Sequence, residues 1–126
     1  MPVKKSDIYQ AREPLQKLLT LPLPAKTAYQ LAKCARQVEE EWQAGEAVRN
    51  GLVRRFGKPG EGGQVYIDRA DTECYGSFLA EMNGLLGQES EIDVEPINLP
   101  ERVDGKALEI EAATLLALDK FITVGD

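Results

Sequence analysis

Residues 24–56 read PAKTAYQLAKCARQVEEEWQAGEAVRNGLVRRF. Apolar or small side chains recur at Ala28, Leu31, Ala35, Val38, Trp42, Gly45, Val48 or Arg49, Leu52 and Phe56. This alternation of three- and four-residue steps, kept up over about four heptads, predicts one long amphipathic helix with a coiled-coil-like seam. A helix of roughly 30 residues is about 45 Å long, more than a small domain is wide. It has to be the spine of a hairpin, the core of a bundle or part of an assembly. The rest of the chain is therefore read for what covers the seam.

On the N-terminal side, Ser6 is the expected N-cap, with Asp7 in the first turn. A helix follows over 7–19, with Ile8, Ala11, Leu15, Leu18 and Leu19 on its apolar face. Pro14 falls inside it and is expected to kink or split it. The LPLP run at 21–24 ends that helix and leaves Pro24 placed to open the spine. So short a connection makes antiparallel neighbours, laying the first helix along the N-terminal half of the spine.

On the C-terminal side, Gly57 is the expected C-cap. GKPGEGG, 57–63, reads as a flexible loop. It resembles a phosphate-binding loop only superficially: no strand precedes it, no helix follows directly, and no GK[ST] occurs. QVYI, 64–67, reads as a short strand. Asp68 or Asp71 then caps a third helix with Tyr75, Phe78, Leu79, Met82, Leu85 and Leu86 at helical spacing, stopped by Gly87.

The stretch ESEIDVEPINLP, 89–100, alternates: Ile92 and Val94 fall on one face of a strand, and Glu89, Glu91, Asp93 and Glu95 on the other. This strand is expected to pair with the one at 65–67, with Pro96 ending the ladder. A loop with turn chemistry at Asp104-Gly105 follows, then a last helix over 110–122 that is apolar enough to be largely buried. The fold class predicted is α+β, mainly α: an N-terminal helical hairpin with one long helix, a small two-stranded antiparallel β-element and two further helices. One domain over 1–126 is expected, with the hairpin in 1–56 and an acidic α+β part in 57–126.

Composition narrows the chemistry. The 126 residues are 43% hydrophobic and 29% charged, which speaks against wholesale disorder. The net charge of −6 is unevenly spread: residues 1–56 hold ten Lys/Arg against six Asp/Glu, and 57–126 hold five against fifteen. So acidic a half repels phosphate backbones and disfavours direct nucleic-acid binding, while suiting a basic protein surface. There is no histidine. That removes Ser-His and Cys-His nucleophilic systems and the commonest metal ligand, so neither enzymatic activity nor a cofactor is expected. Cys34 and Cys74 form no framework and read as buried free thiols. No apolar run is long enough to span a membrane, and the basic opening MPVKKSDIY has no apolar run behind it, so no secretory signal is expected. The expected place is the cytoplasm of whichever cell makes it.

Two surfaces are candidates for contact with a partner. The first is the acidic face of Glu89, Glu91, Asp93 and Glu95. It reads as a guarded sheet edge, as a site for a basic partner (including a nucleic-acid-binding protein occupied by mimicry), or as a divalent cation site. The second is on the spine: Trp42, read as core of the seam or as an interface anchor, and Arg49, Arg54 and Arg55, read as a solvated face whose cations complement the helix dipole or as a basic patch at the far end that contacts a partner.

The runs SDIYQAREPLQKLLTLPLPAKTAYQLAKCARQVEEEW, EAVRNGLVRRFG, FLAEMNGLLGQESEIDVEPINL and LLALDKFI, taken in order, resemble small phage and prophage proteins of unknown function. The shared features are an LP-x-K-x-x-Y start to the long helix (Leu23 to Tyr29), an R-N-x-L-[VI]-x-x-[FY]-G exit (Arg49 to Gly57) and a [DE]-[IV]-[DE]-P-I strand at 93–97. The resemblance implies a phage origin, with the host-cell cytoplasm or the virion as the protein's place, and no defined activity; it transfers no functional residue. Three functions are carried forward: a non-enzymatic protein of virion tail or head assembly or a minor structural component, with phage structural proteins or further copies of itself as partners; a small acidic inhibitor of a host nucleic-acid-binding defence complex; and a carboxylate- and metal-dependent enzyme.

Overall fold

The computed structural model describes residues 2–93 and 95–125. Strand β1 (Pro2–Lys4) leads into α1 (Lys5–Leu19), which turns at residues 20–24 into the spine, α2 (Ala25–Phe56). A hairpin of β2 (Lys58–Pro59) and β3 (Val65–Tyr66) follows, with a single 3-10 turn at Glu61–Gly63 between its strands. Then come α3 (Thr72–Leu86), β4 (Glu89–Glu91), β5 (Ile97–Leu99), a second hairpin of β6 (Arg102–Val103) and β7 (Lys106–Ala107), α4 (Ala112–Ala117) and β8 (Ile122–Val124). The fold is α+β, mainly α, built around the long helix.

The hairpin of α1 and α2 follows from the pattern that predicts it. Ile8, Ala11, Leu15 and Leu18 of α1 meet Leu31, Cys34, Ala35 and Val38 of α2, all buried. Leu19, predicted on the same face, is 37% exposed. Pro14 does not split α1. A mid-helix proline costs about 3 kcal/mol, but apolar residues are buried on both sides of it, and their packing offsets that loss. The N-cap is Lys4 rather than Ser6. The Lys4 N–H donates to Asp7 Oδ2 at 3.0 Å, and the Lys5 N–H donates to the Gln88 carbonyl at 2.9 Å, so the helix starts where the chain leaves a sheet.

Sheet pairing differs from the prediction. The strand around Val65 pairs with Lys58–Pro59, inside what reads as a flexible loop, and β4 pairs antiparallel with β1. The N-terminal residues supply the closer partner: Val3 is 2% exposed and lies opposite Ser90, which places an apolar side chain on the core. The expected helix over 110–122 is also shorter. Only Ala112–Ala117 is helical; the chain then turns and Ile122–Val124 runs parallel to β5. The β-branched run Ile122, Thr123, Val124 suits a strand, and the Phe121 carbonyl accepts from the Ile97 N–H at 2.8 Å. Helix α4 packs chiefly on α1.

One core cluster unites β1, α1, the first half of α2 and the segments from Ile92 to Ile122, with Phe121 its largest fully buried side chain. Beyond Gly45 no residue of α2 is buried, and α3 has no buried residue at all. The far third of the spine, the first hairpin and α3 therefore form an arm of half-exposed apolar side chains outside the core.

Candidate docking surface

The acidic face is shorter and more occupied than its alternation predicts. Regular strand ends at Glu91, with Ser90 and Ile92 buried on one side and Glu89, Glu91 and Asp93 exposed on the other. Beyond it the chain is fixed by the spine: the Asp93 N–H donates to Gln37 Oε1 at 2.8 Å, and Gln37 Nε2 donates to the Asp93 carbonyl at 3.2 Å. This two-way clasp satisfies the backbone that a longer ladder would have paired. Asp93 and Glu95 share the lining of a cavity of about 260 Å³ with Lys33. The expected facing of Val94 lies outside the described residues. Among the described residues no group of three or more acidic or cysteine side chains could hold a metal ion.

Trp42 is half-buried against the core, under the Arg12 guanidinium. Arg12 grips Glu39 through Nε to Oε2 at 2.7 Å and Nη2 to Oε1 at 3.2 Å. That two-pronged bond holds the Glu39 carboxyl below the usual carboxylate range, against the opposing effect of burial. Trp42 is thus committed within the chain as a seat for Arg12.

Arg49 is the predicted residue that reaches a built feature. It belongs to a groove of about 540 Å³ between the end of α2, β3 and α3. The apolar lining comes from Val53, Val65, Ile67, Phe78 and Leu79, with Tyr66 and Tyr75 beside them. The charged groups in the lining are Arg49 and Arg69. Arg49 holds Glu46 only loosely, at 3.7 Å within one turn of helix, and Arg69 lies 6.0 Å from the centre of the Tyr75 ring. Arg54 and Arg55 are exposed on the last turn of α2, with Arg55 over the Phe56 ring, and do not line the groove.

The groove is a consequence of local sequence. Gly57 sits so tightly that a Cβ there would come 2.3 Å from the Val53 carbonyl and 2.6 Å from Val65 Cγ1; glycine lets the hairpin fold back hard on the helix end. Lys58 bridges Asp68 and Asp71 at 3.3 and 3.4 Å, and Asp71 caps α3 by accepting from the Cys74 N–H at 3.2 Å. Those contacts tie the hairpin to the start of α3. Val65, Tyr66, Arg69, Phe78 and Leu79 are not legible as a surface in the sequence, because residue spacing marks a shared face without saying whether anything covers it.

No known protein family, curated protein or solved structure matches this chain. Among the described residues no helix is long and apolar enough to cross a membrane.

Proposed function

We propose that the protein works without catalysis, by docking another protein into the groove of its arm, in the setting of phage particle assembly. One observation carries this reading: a groove of about 540 Å³ lined by aliphatic and aromatic side chains, with Tyr66 50% exposed and Leu79 39% exposed, lies outside a core that is already complete. Apolar surface of that kind, bordered by arginine and tyrosine, has the composition of a protein interface. The resemblance to small phage proteins supplies the setting. A photo-crosslinking amino acid placed at Tyr66, in cells producing the phage, is expected to form an adduct with an identifiable particle protein, a further copy of this chain included. The same probe at Lys26 is expected to form none. Equal labelling at both positions, or none at Tyr66, would overturn the reading.

The exposed carboxylates of Glu89, Asp93 and Glu95 favour a second reading, an acidic inhibitor that covers a basic groove of a nucleic-acid-binding host complex. The variant E89K/D93K/E95K is expected to lose such a partner; retained binding removes this reading.

A further inference from the structure

A second exposed feature lies on α4. Thr114 faces inward and is buried, while Ala112, Ala113 and Leu116 face out. Leu116 is 74% exposed, the most exposed large apolar side chain among the described residues. The exposed carboxylates Glu109, Glu111 and Asp119 flank this small apolar ridge. The neighbouring cation Lys120 is engaged elsewhere, donating to Asp7 Oδ2 at 2.9 Å.

The ridge is the chemical inverse of the groove. One is an exposed apolar turn of helix with carboxylates at neighbouring positions; the other is a groove whose aliphatic and aromatic lining is accompanied by Arg49 and Arg69. They share no residue. Packing two grooves face to face would set arginines of one copy against arginines of the next, and packing two ridges would oppose carboxylates. Both like-charge arrangements are disfavoured. Ridge into groove is the pairing that brings apolar side chains together and sets opposite charges, rather than like ones, on the two sides. Freeing Arg49 for it costs little, since a 3.7 Å surface pair within one helix turn is weak.

We infer that the groove of one copy receives the α4 ridge of a second copy, head to tail. This rests on the groove being a protein-docking surface and names its occupant. Two different patches make the contact heterologous, so each copy keeps a free ridge or a free groove. Association then runs on to a ring or an open filament rather than stopping at a symmetric dimer.

The test uses the full chain and two variants, L116E and R49E/R69E, all at exposed positions, each first checked for an unchanged circular dichroism spectrum. Light scattering across a dilution series is expected to show the wild type growing beyond a dimer. Each variant alone is expected to stay monomeric, with association weakened about tenfold or more. Mixed, the two variants are expected to form a one-to-one dimer and nothing larger, because one retains only a working groove and the other only a working ridge. A wild type that stays monomeric, variants that still self-associate, or a mixture that does not pair would each overturn the inference. If the wild type is monomeric yet the Tyr66 probe still labels a different particle protein, the docking reading survives and only the self-association falls. If the groove instead takes a single-stranded oligonucleotide, with no protein adduct at Tyr66, both fall.

Discussion

The guanidinium of Arg12 lies over the ring of Trp42, 3.6 Å from its centroid, while the same group grips Glu39. One side chain of α1 is thereby fixed to two residues of α2 that lie three apart, on one face of the helix. The planar guanidinium can do both at once; a lysine ammonium cannot. R12A is expected to lower stability by about 1–3 kcal/mol, and R12K to recover less than half of that loss. Urea unfolding of the three proteins checks it.

Tyr9 and Gly45 should show coupling. A Cβ at position 45 would stand 2.7 Å from Tyr9 Oη and 3.2 Å from the ring. The buried hydroxyl has no hydrogen-bond partner among the described residues; burial, and then the nearby Glu46 carboxylate, raise its pKa. G45A is expected to cost about 1–3 kcal/mol from overpacking, despite the better helix propensity of alanine. Y9F removes the unsatisfied atom and is expected to cost little. The double variant should be more stable than the sum of the two changes predicts, and a double-mutant cycle measures this.

Ser90 joins three elements. Its hydroxyl donates to Glu41 Oε2 at 3.0 Å and accepts from Lys5 Nζ at 2.9 Å. S90A leaves both charged neighbours half-buried without that bridge and is expected to cost about 1–3 kcal/mol. S90T, which keeps the hydroxyl, should retain part of the loss. Thermal unfolding distinguishes them.

Stability should fall in acid for a definable reason. Burial pushes the Asp7 carboxyl up, but the bonds from Lys120 and the Lys4 N–H, with both positive charges, outweigh it and hold the pKa below the usual value. Glu39 is lowered as well, by Arg12 first. Carboxyls depressed in the folded state add stability above their unfolded pKa values and lose it as pH falls through the folded ones. The decline should therefore begin at the ordinary carboxylate range and run down to the lowered folded-state values, and E39Q and D7N should each flatten it. Urea midpoints measured down the acid range test this.

The thiols should differ in reactivity. Cys34 is wholly buried, and burial raises its pKa to about 11. Cys74 is partly accessible. A thiol reagent is expected to modify Cys74 in the native protein and reach Cys34 only on unfolding, with mass spectrometry reading the site.

Much of the helical framework is legible in the sequence because it is local. The spine runs from Ala25 to Phe56 as its seam predicts, α3 is capped by Asp71 as its sequence allows, and the Asp104-Gly105 turn closes a hairpin with both residues at positive φ. What was illegible is long-range. Nothing in ESE at 89–91 says that its partner is PVK at 2–4, because a two-residue period fixes a face but not a neighbour. The last helix is shorter than its pattern predicts for a related reason: Leu118, Phe121 and Ile122 are buried at helical spacing, yet a strand ending serves the same burial. At the candidate surface, Arg49 was visible as part of a basic cluster, whereas its apolar companions read as core.

The placement of Phe121 has a consequence for synthesis. The largest buried side chain comes from residue 121, and Lys120 reaches back 113 positions to Asp7. As the chain emerges from the ribosome, the α1–α2 hairpin can form early, but its apolar face stays uncapped until residues 118–122 are clear of the exit tunnel. The nascent hairpin thus stays open, and within reach of chaperones, until residue 122 has emerged.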